Sequence, residues 1–305
     1  MDKINFPYRS SSHLPFLHVV GESGSWGKHN LDVEYDRFIS SEDAQNNVAD
    51  GSVEFVGGNH VSPYAARTQG DQWLYLGQTV GLLDHSLVVR EDSDINGVAD
   101  LEGKVIATRG RHPGLNNWLF LKQNGLDEDN GDVKLEGIRD ISVWEAVRAG
   151  QADAALVTPP ADLFAQRAGM KVIVLDPLPM VWFTTMSSGR KFVDSNPEIV
   201  QRFLKATCEG IAYFKTHRVE SIKIIQDRYK EEGDLDAETA THLWESIAKI
   251  LLPKPYATFQ SVGNVYELAK RQNKAAAEIE PMSLWDYHHL RQIDDSGFID
   301  ALYQT

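Results

Sequence analysis

Residues 53–67 read VEFVGGNHVSPYAAR, an apolar strand that ends in two glycines and is followed by the start of a helix. Where a strand passes directly into a helix, the first backbone N–H groups of the helix are unpaired, and small ligands bind at strand ends of this kind. Asn59 and His60 lie in the turn. We therefore expect a polar ligand crevice here, in which the imidazole of His60 contacts the ligand, acts as an acid or base, or only caps the helix.

Short apolar strands alternate with helical segments along most of the chain, a pattern typical of parallel sheets in α/β layers. In a first unit we predict strands over residues 3–8, 31–38, 53–57 and 74–80. From Leu83 the pattern begins again, with strands predicted over residues 85–92, 104–110, 133–138, 152–160 and 171–176. Residues 178–188 are predicted to form a strand that leaves this second unit, and the chain from Asn196 onward is mostly helical.

These two units predict a two-lobed α/β fold with a helical C-terminal region. The predicted division is residues 1–82 for the first part of lobe 1, 83–180 for lobe 2 and 181–305 for the return to lobe 1. In such a clamp the ligand lies between the lobes, at strand ends and helix N-termini. We therefore expect ligand contacts from turns of both lobes.

The composition limits the classes of partner. The 305 residues are 42% hydrophobic and carry a formal net charge of -14. Because of this negative charge, the chain would repel nucleic acid and anionic membrane surfaces. The single cysteine, Cys208, lies in a predicted helix, which makes a disulfide or a thiolate metal site unexpected. The sequence has no HExxH, CxxC or P-loop motif, and the adjacent His288 and His289 would point about 100° apart on a helix. We expect no metal and no cofactor.

The first residues, MDKINFPYRSS, show no basic n-region, no apolar h-region and no small-residue cleavage site. As written, the chain is expected in the cytoplasm. A mature form from which a leader had been removed would look the same and would be periplasmic. No apolar run reaches the roughly 18 residues needed to span a bilayer, so membrane insertion is not expected.

Several separated stretches carry a family likeness. They are HLPFLHVVGESGSWGKHNLDVEYDRFIS (13–40), ADGSVEFVGG (49–58), ADLEGKVIATRG (99–110), AVRAGQADAALVTPP (146–160), SSGRKFVDSNPEIVQRFLKA (187–206) and SLWDYHHLRQIDDSGFID (283–300). In this order they resemble substrate-binding proteins of the nitrate, sulfonate and taurine transporter type, which include binders of thiamin pyrimidine precursors. The resemblance implies a periplasmic-binding-protein-like fold of type II and an ABC permease as partner.

The same scaffold is similar to that of several cytoplasmic enzymes, namely an aromatic sulfinate desulfinase, the dihydroxyphthalate decarboxylase and the yeast-type pyrimidine synthase for thiamin. The nucleophilic cysteine of the desulfinase lies in the loop after the first strand, where this chain reads RSSSH over residues 9–13. The cysteine-rich motif of the synthase is absent too. Both chemistries are therefore disfavoured, and the choice between binder and enzyme depends on the site.

The loop after the first strand offers a guanidinium, three hydroxyls and an imidazole, from Arg9, Ser10, Ser11, Ser12 and His13. Hydroxyls and helix N–H groups hold a carboxylate or sulfonate, and the guanidinium would add a bidentate partner. The alternative is that one serine caps the helix and the others are solvated. From the same lobe, Asn59 and His60 are expected to face this loop.

The helix after this second turn has a predicted start and a predicted outer face. Ser62, ahead of Pro63, would cap it. Arg67 lies seven residues beyond His60, and so two turns along the helix, which predicts a position on its outer surface.

The second lobe contributes a positive segment of five residues, Thr108, Arg109, Gly110, Arg111 and His112, which ends a strand and begins a helix. Thr158, which ends another strand before two prolines, is a further candidate ligand contact. Trp182 alternates with Met180 and Thr184 along the outgoing strand, so it either stacks on a planar ligand or packs in a core.

Our leading hypothesis is a non-catalytic ligand-binding protein of the ABC-transporter type that closes two lobes over a small organic anion, a carboxylate or sulfonate, for which we expect an aromatic body. The alternative is a cytoplasmic, cofactor-independent decarboxylase or lyase for an aromatic acid, with His60 or His13 as general acid or base. A third interpretation is a cytoplasmic sensor that reports the ligand to a protein partner.

Overall fold

The computed structural model describes residues 1–109, 111–229 and 235–304. By the density of contacts the chain divides into a first unit, Met1–Leu82 with Pro179–Thr305, and a second unit, Leu83–Leu178. The chain passes from one unit to the other at Leu82–Leu83 and again at Leu178–Pro179, so the second unit is an insertion in the first.

The strands are short, as expected where turns and helices follow closely. In chain order they are β1 (Asp2–Asn5), β2 (Leu31–Glu34), β3 (Val56–Gly57), β4 (Trp73–Gln78), β5 (Leu82–Leu83), β6 (Ser86–Val89), β7 (Val105–Thr108), β8 (Lys134–Gly137), β9 (Ala154–Val157), β10 (Lys171–Val174), β11 (Leu178–Pro179) and β12 (Thr185–Gly189).

The chain from Asn196 onward is mostly helical, as the sequence predicts. In chain order they are α1 (Leu14–Glu22), α2 (Ser25–Lys28), α3 (Ser41–Asp50), α4 (Ser62–Arg67), α5 (Arg111–Gln123), α6 (Val143–Arg148), α7 (Ala161–Arg167), α8 (Arg190–Ser195), α9 (Pro197–Thr216), α10 (Arg218–Tyr229), α11 (Ala237–Ile250), α12 (Phe259–Gln272), α13 (His288–Asp295) and α14 (Phe298–Ala301). No helix within the described ranges combines the length and the apolar character needed to cross a bilayer.

The sheets of the first unit place three chain segments around Gly57. β1 pairs in parallel with β2. β12 lies between β3 and β4 and is antiparallel to both, with Met186 opposite Gly57. On the other side of Gly57, Tyr8 forms a parallel bridge. The turn after β3 is therefore close to both the loop after β1 and the segment that precedes β12.

Aromatic and aliphatic packing holds these sheets against α1 and α9. The rings of Phe55 and Phe203 stack 3.9 Å apart, and Phe6 meets Phe203 edge to face at 4.9 Å. Phe16 and Phe214 are fully buried in the same core. Buried aromatic side chains of this size contribute most of the apolar area that stabilises such a unit.

The second unit contains a five-stranded sheet in the order β10-β6-β9-β7-β8. β7 is parallel to β8 and β9, with Ile106 opposite Ala154, while β6 is antiparallel to β9 and β10. Since β7, β8 and β9 run in parallel, their carboxyl ends lie at the same edge of the sheet. Residues that follow these strands are thereby brought close together.

The predicted strands are longer than those that the described residues form, and for two of them the structure shows the reason. The predicted strand 3–8 ends at Asn5, because Pro7 has no N–H to extend the ladder. The predicted strand 178–188 is interrupted over residues 180–184, where Met180 and Trp182 bond with their backbone N–H groups to the carbonyls of Gly81 and Val80. α7 follows Thr158–Pro160 and was not predicted.

Candidate functional site

Hydrogen bonds between Ser10 and Ser12 stabilise the loop after β1. Ser10 caps a short 3₁₀ helix, Ser11–His13, by accepting a hydrogen bond from the backbone N–H of Ser12, and the two hydroxyls lie 2.8 Å apart. Ser10 and Ser11 are exposed and Ser12 is half-buried. One serine therefore has the capping role that the sequence analysis left open.

Arg9 points its guanidinium at protein acceptors. Its terminal nitrogens donate to the carbonyl of Ile39 and the hydroxyl of Ser41, and the group lies 5.8 Å from the ring centre of Phe38. Burial lowers the pKa of Arg9, and the charge of Asp43 opposes that shift. Within the described residues no carboxylate forms an ion pair with Arg9, and its buried Nε has no hydrogen-bond partner. The two hydrogen bonds that Arg9 is expected to donate to a ligand would compete with these bonds.

His13 packs against the two glycines of the next turn. A Cβ added to Gly57 would lie 3.5 Å from His13 Nδ1 and 3.4 Å from Thr184 Cγ2, and one added to Gly58 would lie 3.0 Å from Arg9 Cβ. Gly58 also has a φ of +113°, which L side chains rarely adopt. The glycines thus allow three segments of the first unit to approach one another closely.

The imidazole of His13 is neutral at physiological pH. Burial, followed by the charge of Arg9, lowers the pKa of His13 to about 3. The side chain is 2% exposed, and its Nδ1 has no hydrogen-bond partner within the described part of the chain. A group with this pKa is a poor proton donor near pH 7, so the role of general acid does not suit it.

Asn59 is held at two atoms. Its side-chain Oδ1 accepts a hydrogen bond of 2.7 Å from the hydroxyl of Ser62, and its backbone carbonyl accepts one of 3.0 Å from the hydroxyl of Tyr75. Its φ is +66°, a conformation that Asn tolerates better than most residues. The buried Nδ2 has no partner among the described residues.

The helix after this turn differs from the prediction. Val61 occupies the N-cap position of α4 and Ser62 is its first residue, and the hydroxyl of Ser62 bonds to Asn59. Arg67 is half-buried and donates to the carbonyl of Trp73, so its predicted position on the outer surface is wrong. His60 is half-buried in the turn itself.

Thr184 is the residue of this cluster that the sequence analysis did not select. Its backbone N–H donates to Thr79 Oγ1 at 2.7 Å, and its own buried Oγ1 has no partner in the described ranges. Its alternation with Trp182 along the chain was the available signal. Trp182 is half-buried and packs on the core, with its ring 6.3 Å from that of Phe183, which in turn lies 5.8 Å from His13.

We call Arg9, His13, Asn59 and Thr184 the first-unit cluster. Each carries a buried nitrogen or oxygen with no hydrogen-bond partner within the described residues. Two of these atoms, Arg9 Nε and Asn59 Nδ2, can only donate, whereas the atoms of His13 and Thr184 can donate or accept. An unmet buried donor costs about 1–3 kcal/mol. The cluster is therefore rich in donors and suits a ligand with acceptor oxygens.

In the second unit the candidate residues follow the parallel strands. Thr108 ends β7, is buried, and donates from its hydroxyl to the carbonyl of Glu136 at 3.4 Å. Arg109 is exposed, and Thr158 is half-buried after β9. We call these three residues the second-unit edge.

The rest of the predicted positive segment is only partly described. Gly110 lies outside the described residues. Arg111 and His112 begin α5 with their backbone, and their side chains lie outside the described part of the structure.

Two other groups from the sequence, Cys208 and the adjacent His288 and His289, do not have the properties of a nucleophile or of a metal site. Burial raises the pKa of the Cys208 thiol to about 12, so it is not a nucleophile at neutral pH. The rings of His288 and His289 lie 5.2 Å apart, and neither they nor other described residues form a group of three metal-ligating side chains.

The sequence of this chain matches the model of a known protein family. The model described as NMT1/THI5 like matches residues 12–221, which is more than half of the chain. The chain belongs to the NMT1/THI5-like family. No curated protein matches it by sequence.

Solved structures resemble this NMT1/THI5-like chain over nearly its whole length. The periplasmic aliphatic sulphonate binding protein SsuA from Escherichia coli is 18% identical with a TM-score of 0.69, covering 96% of this chain and 97% of that one. A DSZB mutant in complex with biphenyl-2-sulfinic acid is 15% identical with a TM-score of 0.66, covering 97% and 99%.

A third structure, the Candida albicans CA3427 gene product, is described as having the generic periplasmic binding protein fold. It is 14% identical with a TM-score of 0.63, covering 96% of this chain and 95% of that one. At such identities the likeness shows the fold. The predicted α/β periplasmic-binding-protein-like fold of this NMT1/THI5-like chain is confirmed.

Proposed function

We propose that this protein binds a small organic anion, a carboxylate or sulfonate, and that the first-unit cluster supplies the contacts to its oxygens. The observation that carries the proposal is a pair of buried donors without partners among the described residues, Asn59 Nδ2 and the Nε of the Arg9 guanidinium, which no described carboxylate pairs with. Bonds from such donors to a charged oxygen are about twice as strong as neutral ones.

The charge distribution supports an anion in spite of the acidic chain. The net charge of -14 acts on a ligand mainly at long range, where salt screens it within about 10 Å. Arg9 acts at contact distance and is half-buried, where charges are screened much less. A bound oxyanion would therefore gain more from this one guanidinium than it loses to the distant carboxylates.

Aromatic rings near the cluster support an aromatic ligand. Phe183 lies 5.8 Å from the His13 ring, and Trp182 adjoins it. SsuA from Escherichia coli is described as binding aliphatic sulphonates, whereas the DSZB mutant was solved with an aromatic sulfinic acid. Both ligand types carry acceptor oxygens at sulfur. We propose the aromatic type for this chain, because rings can stack on a planar ligand.

The residues of the second-unit edge are proposed as further anion contacts, as the sequence indicates. Thr108 and Thr158 follow parallel neighbours of one sheet, and Arg109 adds a positive charge next to Thr108. We extend this proposal to Gly110, Arg111 and His112 from the sequence. The partner proposed for the ligand-loaded protein is the permease of an ABC importer.

A ligand screen tests the proposal. The protein is heated with each member of a panel of aromatic and aliphatic carboxylates and sulfonates, with neutral amides of the same shape as controls. An anion at 100 times its Kd should stabilise the fold by about 2.7 kcal/mol. Arg9→Met should abolish that gain, whereas Arg37→Met, at an exposed arginine near Glu34, should not.

Chromatography of each bound ligand then separates binding from turnover. Recovery of the unchanged anion supports a binding protein. A product that forms with the native chain and not with His60→Ala would replace the proposal by the enzyme alternative. Stabilisation by the neutral amides and not by the anions would overturn it.

A further inference from the structure

We infer that Ser62 and Tyr75 are positioning residues that fix Asn59 so that its Nδ2 hydrogens, and not its Oδ1, meet the anion. This inference rests on the proposed function and concerns the same cluster. Neither residue was selected from the sequence as part of a binding site. The geometry points to them because they bond to both acceptor oxygens of Asn59, whereas its side-chain donor Nδ2 has no partner among the described residues.

Ser62 decides which end of the amide is available. Its hydroxyl donates to Asn59 Oδ1 at 2.7 Å, and the carbonyl end of the amide is thereby occupied. The opposite orientation would bring Oδ1, which carries no hydrogen, to the place where Nδ2 now lies unpartnered. An oxyanion would then face a partial negative charge. Ser62 is the first residue of α4 and not its N-cap, which is Val61.

Tyr75 holds the backbone of the same residue. It is 1% exposed in β4, and its ring packs 4.8 Å from that of Trp285, so the phenol has a fixed direction. Its hydroxyl donates to the Asn59 carbonyl at 3.0 Å, at a residue with a φ of +66°. Burial raises the pKa of Tyr75 well above its usual value, which keeps the phenol protonated as a donor.

Fixing a side chain before the ligand arrives favours binding, because the entropy of ordering that side chain is already lost in the free protein. It also gives selectivity. A donor that cannot rotate into an acceptor favours oxygen-rich anions over ligands that donate hydrogens to the same point. Ser62 and Tyr75 therefore set a preference that Asn59 alone would not have.

The test uses calorimetric titration with the tightest anion of the panel. Ser62→Ala and Tyr75→Phe should each weaken binding roughly tenfold, and Ser62→Thr should retain most of the affinity because it keeps the hydroxyl. The matched controls are Ser188→Ala, which removes a serine hydroxyl that donates to the backbone carbonyl of Glu54, and Tyr64→Phe in the same aromatic group. Both controls should bind within about twofold of the native chain.

A double-mutant cycle shows whether the effect runs through Asn59. Ser62→Ala should cost almost nothing when Asn59→Ala is already present, since the amide to be oriented is gone. An equal loss in both backgrounds, or affinities of Ser62→Ala and Tyr75→Phe within twofold of native, would overturn the inference. In either case native binding persists and the proposed function stands. Absence of anion binding to the native chain would instead reject the proposed function, and this inference with it.

Discussion

The first-unit cluster and the second-unit edge contain similar residue types in opposite environments. Arg9, His13 and Asn59 carry buried atoms that have no partner in the described part of the chain, whereas the hydroxyl of Thr108 donates to the carbonyl of Glu136 and Arg109 is exposed. A buried donor without a partner has already lost its water, so a ligand regains a full hydrogen bond there. An exposed arginine exchanges water for ligand and gains little.

The type of residue alone therefore does not show where a ligand gains binding free energy. Two arginines and a histidine after β7 form the more conspicuous pattern in the sequence. In the structure, the cluster around Gly57 and Gly58 offers more unsatisfied donors among the described residues. Four measurements test whether the two regions differ in this way.

The largest effect is expected from Gly58→Ala. Its Cβ would lie 3.0 Å from Arg9 Cβ, and the φ of +113° is strained for alanine, so we expect the free energy of unfolding to fall by about 3 kcal/mol. Gly51→Ala is the control, because Gly51 has a φ of +80° and open space around its Cα. Denaturant unfolding measures both. If both variants lose the same free energy of unfolding, the close approach of Gly58 to Arg9 does not contribute to stability.

The second measurement follows stability with pH. The pKa of His13 is about 3 in the folded chain and about 6.5 when unfolded, so protonation favours the unfolded state. The stabilisation from a neutral His13 is complete above pH 6.5 and is lost as the pH falls toward 3. His13→Gln should remove about 2 kcal/mol of the loss that occurs between pH 6.5 and pH 5.

His217→Gln is the control for this measurement, because His217 is an exposed histidine of the same unit. Its stability should follow the native pH profile. A His13→Gln profile parallel to the native one would mean that water reaches the imidazole and that the first-unit cluster is not a dry environment.

The third measurement is the affinity of Asn59→Ala for the anion. Removing a buried donor to a charged oxygen should weaken binding by about tenfold to thirtyfold, and raising the salt should change that factor little. Titration calorimetry at two salt concentrations gives the answer. A loss below threefold would remove Asn59 from the proposed contacts.

The smallest effect is expected from Arg109→Ala. Because the side chain is exposed, we expect about a threefold loss of affinity in dilute buffer that disappears near 0.5 M salt. A loss as large as that of Asn59→Ala, with no dependence on salt, would reverse the comparison and make the second-unit edge the stronger contact.

Much of the fold could be predicted because it depends on local patterns. Alternating apolar runs placed nearly every strand, Ser40 and Ser142 cap their helices as their sequences indicate, and Pro197 begins the longest helix in the described residues. The limits of single strands were less predictable. The carbonyl partners of residues 180–184 lie about a hundred positions away in the chain.

The candidate site divides in the same way. The sequence indicated Arg9, His13 and Asn59, because they follow strand ends next to glycines and helix starts. It did not indicate that the terminal nitrogens of Arg9 bond to Ile39 and Ser41. It also gave Ser62 a capping role, since the bond to Asn59 depends on the path of the turn and not on the residue types.

The class of fold, the acidic charge and the turns in which polar side chains gather follow from the amino-acid sequence alone, because they depend on periodicity, composition and strand ends. Only the tertiary structure decided which polar atoms are buried without partners, since burial and satisfaction depend on segments far apart in the chain. Thr184 illustrates this: an ordinary strand residue in the sequence, it lies beside Gly57 and carries an unpartnered hydroxyl among the described residues.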